Sequence, residues 1–206
     1  RFKLDTSSRM SLSNNDDGTN TTIFGKLAGN SIASGANINN FIGFNTAYNT
    51  TTGDNNVATG AYALFYNQTG SDNTAFGTQA MQGASGNSHS NNTSVGASSL
   101  YSITTASANV AIGKQSLYST TTGGSNTALG HQAMYYGTES DSNVAVGKSA
   151  LEKNVTGDDN TAIGYQSQYG ASNQSHSSNT SVGYRSLYAV TTGSSNIAIG
   201  KNSLNS

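Results

Sequence analysis

The sequence predicts an all-β chain folded as a parallel β-solenoid, and three observations lead to that prediction. A motif of the type Asn-Thr-Ala-Ile-Gly, seen at residues 160–164, returns along most of the chain. Successive motif glycines stand 17 to 19 residues apart, which is the spacing of a stacked repeat. Proline is absent, so backbone N–H groups are available for a continuous ladder. The eleven motif glycines are Gly25, Gly43, Gly60, Gly77, Gly96, Gly113, Gly130, Gly147, Gly164, Gly183 and Gly200.

The composition supports stacked layers over an ordinary globular core. Only 9% of the residues are charged and the net charge is −1, whereas globular domains average about 25% charged residues. A chain poor in large apolar residues can fold by stacking many small units. The near-neutral charge argues against nucleic acid as a partner. The absence of cysteine excludes disulfides and thiolate metal sites, and no apolar run reaches the ~20 residues of a membrane span.

Residues 1–20 differ from the rest and are predicted to be an entry strand and turn that caps the first coil. Phe2, Leu4, Met10 and Leu12 are separated by polar residues, and residues 14–18 form a turn signal. Residues 21–206 are then the solenoid domain, with about eleven coils. Because the chain begins without methionine and ends within a repeat, we expect it to be a fragment of a longer polypeptide.

Each motif position predicts a role within the coil. The large residue directly before the glycine, such as Ile163, is predicted to lie in the core, and Ala162 before it to allow close packing. The asparagine four residues before the glycine, such as Asn160, is predicted to form a hydrogen-bonded ladder from coil to coil. The glycine is predicted to leave room at a crowded bend.

The rest of the unit predicts a second short strand and a closing turn. Ala or Ser and then Leu or Met follow three and four residues after the glycine, as in Ala63 and Leu64. A Thr-Thr-Gly turn often closes the unit, as at residues 51–53, and its glycine is predicted to take a positive φ. Coils stacked about 4.8 Å apart would give a rod roughly 50 Å long.

Two units are longer, and they reveal a duplication. The 19-residue steps contain His89 and His176, which stand 87 residues apart, as expected for a duplicated block of five coils. We expect the two extra residues to form loops that bulge from the rod at the same angle. Loops on a rigid scaffold are common places for recognition.

A coil of 17 residues has a thin core, so we expect several parallel copies to bury a further face around a shared axis, and a homotrimer is favoured. The Asn-Thr-Ala-Ile-Gly units resemble the Ser-Val-Ala-Ile-Gly repeats of trimeric autotransporter adhesin heads. This resemblance implies a left-handed β-roll. The longer unit here, together with residues 7–16, is more similar to repeats of phage tail fibres.

An aromatic column is the first candidate binding feature. It recurs five residues after the motif glycine and is interrupted by Gln82, Glu152 and Asn205. The column could stack sugar rings, or it could be a structural ladder, and the ladder is favoured. Its members are Tyr48, Phe65, Tyr101, Tyr118, Tyr135, Tyr169 and Tyr188.

The histidines are the second candidate feature. Copies of His89 or His176 could meet around a threefold axis and bind a metal, but a lone histidine in a Gly/Ser/Asn loop is more often solvated. We therefore predict no metal and no cofactor. The aspartates lie in turns without calcium-loop spacing, and no catalytic constellation is present, so we predict that the chain is not an enzyme.

The sequence thus favours a structural and adhesive fibre segment, similar to a phage tail fibre, that presents loops to a host-surface glycan or receptor. It would be extracellular, as part of a virion. A cell-surface adhesin or matrix filament of cellular origin is the alternative. Ice binding is a remote one, because no Thr-x-Thr array repeats.

Overall fold

The computed structural model describes residues 8–11, 20–33, 35–171 and 175–205, with residues 8–11 described for their backbone only. Over these ranges the chain forms one sheet of twelve strands that lie in sequence order. The strands are β1 (Ser8–Ser11), β2 (Thr22–Lys26), β3 (Asn40–Ile42), β4 (Val57–Thr59), β5 (Thr74–Phe76), β6 (Thr93–Val95), β7 (Val110–Ile112), β8 (Thr127–Leu129), β9 (Val144–Val146), β10 (Thr161–Ile163), β11 (Thr180–Val182) and β12 (Ile197–Ile199).

Strands β2 to β12 run parallel, and each motif position pairs with its own copy in the next coil. Ala128 of β8, for example, stands opposite Ala145 of β9. This register confirms the predicted all-β parallel solenoid, which has about ten turns. Strand β1 pairs antiparallel with β2, from Ser8 opposite Lys26 to Ser11 opposite Ile23. The rest of the predicted cap, at residues 1–7 and 12–19, lies outside the described residues.

Two columns of apolar side chains fill the interior. One column stands two residues before each motif glycine and is Ala or Ser in every coil after Ile23 and Phe41. The other stands four residues after the glycine and is mostly Leu or Met. Ala128 and Leu117 are both completely buried. The buried members of the Leu/Met column are Leu64, Met81, Leu100, Leu117, Met134, Leu151 and Leu187; the same position is taken by Gly29, Ala47 and Gln168 in three other coils and by the exposed Leu204 in the last.

The residue directly before the motif glycine faces outward, so its predicted place in the core is wrong. Ile163 is 39% exposed and Leu129 is 44% exposed, whereas Ala162 between the Thr161 and Ile163 side chains is fully buried. Successive side chains of a strand point to opposite faces, so one of the two positions has to face solvent. From β4 onward the opposite wall contributes Leu, Met or Gln168, which leaves space only for Ala or Ser. Ile23 and Phe41 fit because Gly29 and Ala47 stand on the opposite wall of their coils.

The predicted asparagine ladder is confirmed along the coils. The side-chain oxygen of Asn126 accepts hydrogen bonds from the backbone N–H of Asn143 at 3.0 Å and from its side-chain amide at 3.1 Å. The amide of Asn126 donates to the side-chain oxygen of Asn109 at 3.1 Å and to the carbonyl of Ser140 at 2.6 Å. Each interior asparagine therefore joins the coils on both sides of it.

The segment after the motif glycine is a series of turns, so the predicted second strand is wrong. Gln132 and Met134 have φ values of 56° and 52°, which are incompatible with a strand. The N–H of Gln132 donates to the carbonyl of Lys114 in the preceding coil, and the N–H of Met134 donates to the carbonyl of Ala150 in the next. These coil-to-coil hydrogen bonds offset the cost of the left-handed conformations.

The motif glycine occupies a crowded bend, as predicted. Gly130 has a φ of +143°, and a Cβ added to it would lie 2.5 Å from the carbonyl oxygen of Gly147. The prediction of a positive φ in the Thr-Thr-Gly turns is wrong, because Gly123 is not in that region. Glycine is needed there for a different reason, since a Cβ on Gly123 would overlap the carbonyl oxygen of Ser140.

Candidate functional site

The outer side of the parallel sheet carries an apolar column bordered by a mostly threonine column, and we call the two together the strand face. The apolar column stands one residue before each motif glycine, and the second column stands three residues before it and consists of Thr, Val, Ile or Asn. Its large exposed members are Phe24, Ile42, Phe76, Val95, Val110, Ile112, Leu129, Ile163, Ile197 and Ile199. The position before the glycine forms a column along the rod, because each strand pairs in register with the next, and Thr59 is its one polar member. Exposed apolar surface of this extent is typical of an interaction surface.

Sequence reasoning missed this surface although its signal was present. The alternation of Ala and a larger residue was correctly taken for a strand, but alternation alone does not tell which side faces inward. The small size of the residue two before the glycine in nine of the eleven coils was the clue, because a narrow interior accepts a larger residue such as Phe41 there only where the opposite wall is small, as at Ala47. The site that the structure reveals is therefore made of residues that had been assigned to the core.

Charged side chains lie along the two edges of the strand face. We call the first the basic edge: it comprises residues directly after a motif glycine, together with Arg185 one residue further. Its members are Lys26, Lys114, His131, Lys148, Arg185 and Lys201. We call the second the acidic edge, which lies five or six residues before the glycine. Its members are Asp54, Asp72, Asp141, Asp158 and Asp159.

The aspartates of the acidic edge have the predicted role in turns. The carboxylate of Asp141 accepts a hydrogen bond from the backbone N–H of Gly124 at 2.5 Å, and the carboxylate of Asp158 accepts one from the N–H of Asp141 at 2.7 Å. Asp54 accepts from the N–H of Asn37 at 2.6 Å in the same way. Each carboxylate thus ties its own coil to the preceding one.

The aromatic column forms stacked ladders on another corner of the coil. Tyr118 lies between Tyr101 and Tyr135, with ring centroids 5.0 and 4.9 Å apart and interplanar angles of 2°. Tyr169 and Tyr188 stack at 5.2 Å with an angle of 5°. Tyr48 and Phe65 stack at 5.3 Å. The stacks break at Gln82 and Glu152, where the sequence interrupts the column.

Stacking along the rod covers the ring faces, and this decides what the column can do. Both faces of Tyr118 lie against neighbouring rings, so only ring edges and hydroxyl groups face solvent. Sugar rings pack on open aromatic faces, and Tyr118 offers none, whereas each other member of the column has one face covered by stacking. At an end of one stack, the ammonium of Lys153 lies 4.5 Å from the ring centroid of Tyr169. The geometry therefore favours the structural interpretation of the column.

Burial and neighbouring charge alter the acidity of two of these tyrosines. Burial raises the pKa of Tyr135, and the adjacent Tyr118, Tyr136 and Glu152 raise it further. Burial also raises the pKa of Tyr169, with a further contribution from the carboxylate of Glu152. Both groups are therefore neutral hydrogen-bond donors at physiological pH.

Replacing Tyr118 by alanine is expected to lower the free energy of unfolding by about 2 kcal/mol, since two stacking contacts and part of the buried ring are lost. Replacing it by phenylalanine keeps the stack and should leave stability within about 0.5 kcal/mol of the wild type. Chemical denaturation followed by circular dichroism measures both. Equal losses in the two variants would show that the hydroxyl group, and not the stack, stabilises this corner.

The two histidines of the longer coils are buried, so the expectation of solvated rings in bulging loops is wrong. His89 is 1% exposed and His176 is 2% exposed. Both ring nitrogens of His89 lack a hydrogen-bond partner, and so does Nε2 of His176. Asn179 approaches Nδ1 of His176 at 3.5 Å. Burial lowers the pKa of each ring from 6.5 to about 4, so both are neutral at physiological pH.

The histidine backbones complete the asparagine ladder at these coils. The carbonyl of His89 accepts a hydrogen bond from the amide of Asn73 at 2.7 Å, and its N–H donates to the side-chain oxygen of Asn67 at 3.1 Å. The carbonyl of His176 accepts from Asn160 at 2.7 Å. The ring occupies an interior place where other coils have Gly, Ala or Ser, such as Gly123 and Ser140.

The predicted ligand-contact residues are thus divided between two environments. Tyr101, Tyr118, Tyr135, Tyr169 and Tyr188 lie half-buried on an outer corner, whereas His89 and His176 lie inside the coil. A metal held between histidines of neighbouring copies is incompatible with these inward-facing rings. Among the described residues, no group of three or more His, Cys, Asp or Glu side chains could hold a metal ion. The same part of the chain contains no helix of the length and hydropathy of a membrane span.

Comparisons of the chain with protein-family models, with curated proteins and with solved structures found no match. The most informative feature of the chain is the strand face with its two charged edges.

Proposed function

We propose that the chain is a rod-forming segment of an extracellular fibre, and that it assembles as a homotrimer through the strand face. The observation that carries this proposal is the exposed apolar column, in which Phe24, Ile42, Phe76, Ile112 and Leu129 are each 38% to 50% exposed. A second copy of the same surface provides a complementary apolar partner of equal length. Three such faces enclose a common axis, and the left-handed sense of the coil remains a prediction.

The size of the strand face is consistent with a stable interface. Eleven strands about 4.8 Å apart give a length of roughly 50 Å, and three residues of strand give a width of roughly 10 Å. This area of roughly 500 Å² becomes roughly 1,000 Å² when the two charged edges are included. Specific interfaces bury about 800 Å² per partner. Burying this face also adds to the small apolar area that each coil buries in its own interior.

The remaining sides of the rod are then free to display a binding surface to a host cell. Asparagine ladders and stacked rings make the coil a stiff support, and a stiff support holds several copies of a weak site in a fixed arrangement. Binding at three such sites exceeds binding at one by a factor of 10² or more. We therefore propose attachment of a tail-fibre-like segment to a host-surface glycan or receptor, on a virion or, alternatively, on a cell surface.

Replacing Leu129 by lysine is expected to convert the assembly to monomers, because equivalent lysines of the copies would meet in an apolar interface. The side chain is 44% exposed in the single chain, so the fold itself should tolerate the change. Thr122→Lys adds the same charge at an exposed position away from the strand face and is the control. Sedimentation equilibrium should show at least tenfold weaker association for the first variant only.

The adhesive part of the proposal is tested with the same two variants. Wild-type protein and the Thr122→Lys variant should bind an immobilised glycan array or host cells at least 10²-fold more tightly than the monomeric Leu129→Lys variant. Equal binding by monomer and assembly would contradict presentation by avidity. An assembled rod that binds no surface would leave a purely structural role.

A further inference from the structure

The charges of the solenoid are segregated to an unusual degree. Among the described residues, every lysine except Lys153 lies directly after a motif glycine, and Arg185 lies one residue further. All the described aspartates lie five or six residues before such a glycine. The chain as a whole has a net charge of −1, so this pattern concerns the placement of charge and not its amount. The apolar strand face lies between the two edges.

The two edges are too far apart to pair within one coil. Asp141 and Lys148 stand on opposite sides of β9, and seven residues separate them along the chain. A chain of that length can span up to roughly 20 Å, and the lysine is exposed at the far side. Lys148 is therefore available to a partner outside its own coil.

The direction in which two copies run decides which edges meet. When two parallel rods face each other through the strand face, their strands run in opposite directions across the interface. The basic edge of each copy then lies against the acidic edge of the other. When the rods are antiparallel, the strands run in the same direction, so that basic meets basic and acidic meets acidic. Around a threefold axis, parallel copies likewise place unlike edges together at every corner.

We propose that the two edges form interchain contacts that select parallel packing, with Lys148 of one copy against Asp141 of the next. This inference rests on the proposed assembly through the strand face. In parallel copies at the same height the two residues are level, because both flank β9, and Asp158 lies one coil further along. Lys114 and His131 extend the basic edge over the two preceding coils.

The physical effect of these contacts is to select the orientation of the copies. Solvent-exposed ion pairs contribute little to affinity, whereas like charges brought together are strongly unfavourable. The strand face alone would allow antiparallel pairs. The charged edges disfavour that arrangement, and the partner that fits both edges is another copy of this chain in parallel orientation.

Charge reversal tests the contact. Lys148→Glu should weaken association at least tenfold, since the new carboxylate faces Asp141 and Asp158 of the next copy. The double variant Lys148→Glu/Asp141→Lys should recover to within about threefold of the wild type. Lys153→Glu makes the same change of charge away from both edges and is the control. Sedimentation equilibrium in low salt and in 0.5 M NaCl measures each dissociation constant, and high salt should reduce the differences.

A single cysteine tests the orientation independently. The chain contains no cysteine, so Ile199→Cys places one thiol at one end of the strand face. Parallel copies bring these thiols together, and a short bifunctional maleimide should then link chains efficiently. In antiparallel copies the thiols would lie roughly 50 Å apart, and no linkage would form.

The outcomes separate this inference from the proposal on which it rests. A wild-type chain that stays monomeric contradicts the proposed assembly. An assembly that is insensitive to Lys148→Glu, or that fails to link through Ile199→Cys, contradicts only the selection of parallel packing by the charged edges. Recovery by the double variant together with efficient linkage supports it.

Discussion

Replacing Gly130 by alanine is expected to cost on the order of 4 kcal/mol of unfolding free energy. The backbone φ of +143° is strained for any residue with a Cβ. The new methyl group would also lie 2.5 Å from the carbonyl oxygen of Gly147, which is backbone of the next coil. Relief of that contact requires the two coils to separate, and the ladder hydrogen bonds between them would lengthen or break.

Gly200 provides a matched control for this prediction. It occupies the same motif position with a φ of +116°, but no atom lies within 4 Å of the place that its Cβ would take. Gly200→Ala should therefore cost only the conformational strain, about 1 to 2 kcal/mol. Chemical denaturation of both variants gives the comparison. Equal losses would contradict crowding between coils as the reason for the motif glycine.

Acidification from pH 7.5 to pH 5 is expected to destabilise the chain through His89 and His176. Each ring has its pKa lowered by burial from 6.5 to about 4, so the unfolded chain binds protons more readily than the folded chain. The stability that depends on neutral rings is complete above pH 6.5 and is lost as the pH falls towards 4. At pH 5 the loss is about 2 kcal/mol for each histidine.

A variant of His131 is the control that distinguishes this effect from general sensitivity to acid. It is the third histidine of the chain and lies exposed on the basic edge. The variant His89→Leu/His176→Leu should lose about 4 kcal/mol less than the wild type between pH 7.5 and pH 5. The variant His131→Gln should behave as the wild type. Identical pH dependence in all three proteins would show that the buried rings do not govern acid stability.

Much of the fold could be predicted because the repeat compares the chain with itself. The near-constant spacing of the motif glycines determines which residues stack on one another. Where identical residues stack, each must be able to contact its own copy in the next coil. This is why the ladder through Asn109, Asn126 and Asn143 and the crowding at Gly130 were foreseen. The breaks of the aromatic stacks at Gln82 and Glu152 follow from the same rule.

The direction in which strand side chains face could not be obtained from the repeat. Period-two alternation is the same for either direction, and the larger residue was assigned to the interior by its hydrophobicity. The structure places Ala162 inside and Ile163 outside because the coil is too narrow for both Ile163 and the Leu/Met column. Exposure of this apolar column would be unfavourable for an isolated chain. It is expected if the strand face packs against other copies, as proposed.

Backbone conformation also limited the prediction. Met134 and Gln132 adopt left-handed conformations that are uncommon for their residue types, so the sequence predicts a strand where turns occur. His89 was assigned to a solvated loop because its neighbours are Gly, Ser and Asn. In the structure, the histidine coil places the ring in an interior position that holds smaller residues in other coils.

We propose that this chain assembles through its strand face, and the mass of the wild-type protein in solution tests this proposal most directly. One chain has a mass of 21.1 kDa. Sedimentation equilibrium at micromolar concentration should give three times that mass, about 63 kDa. A mass of 21.1 kDa at every concentration tested, with the strand face fully accessible to solvent, would contradict the account.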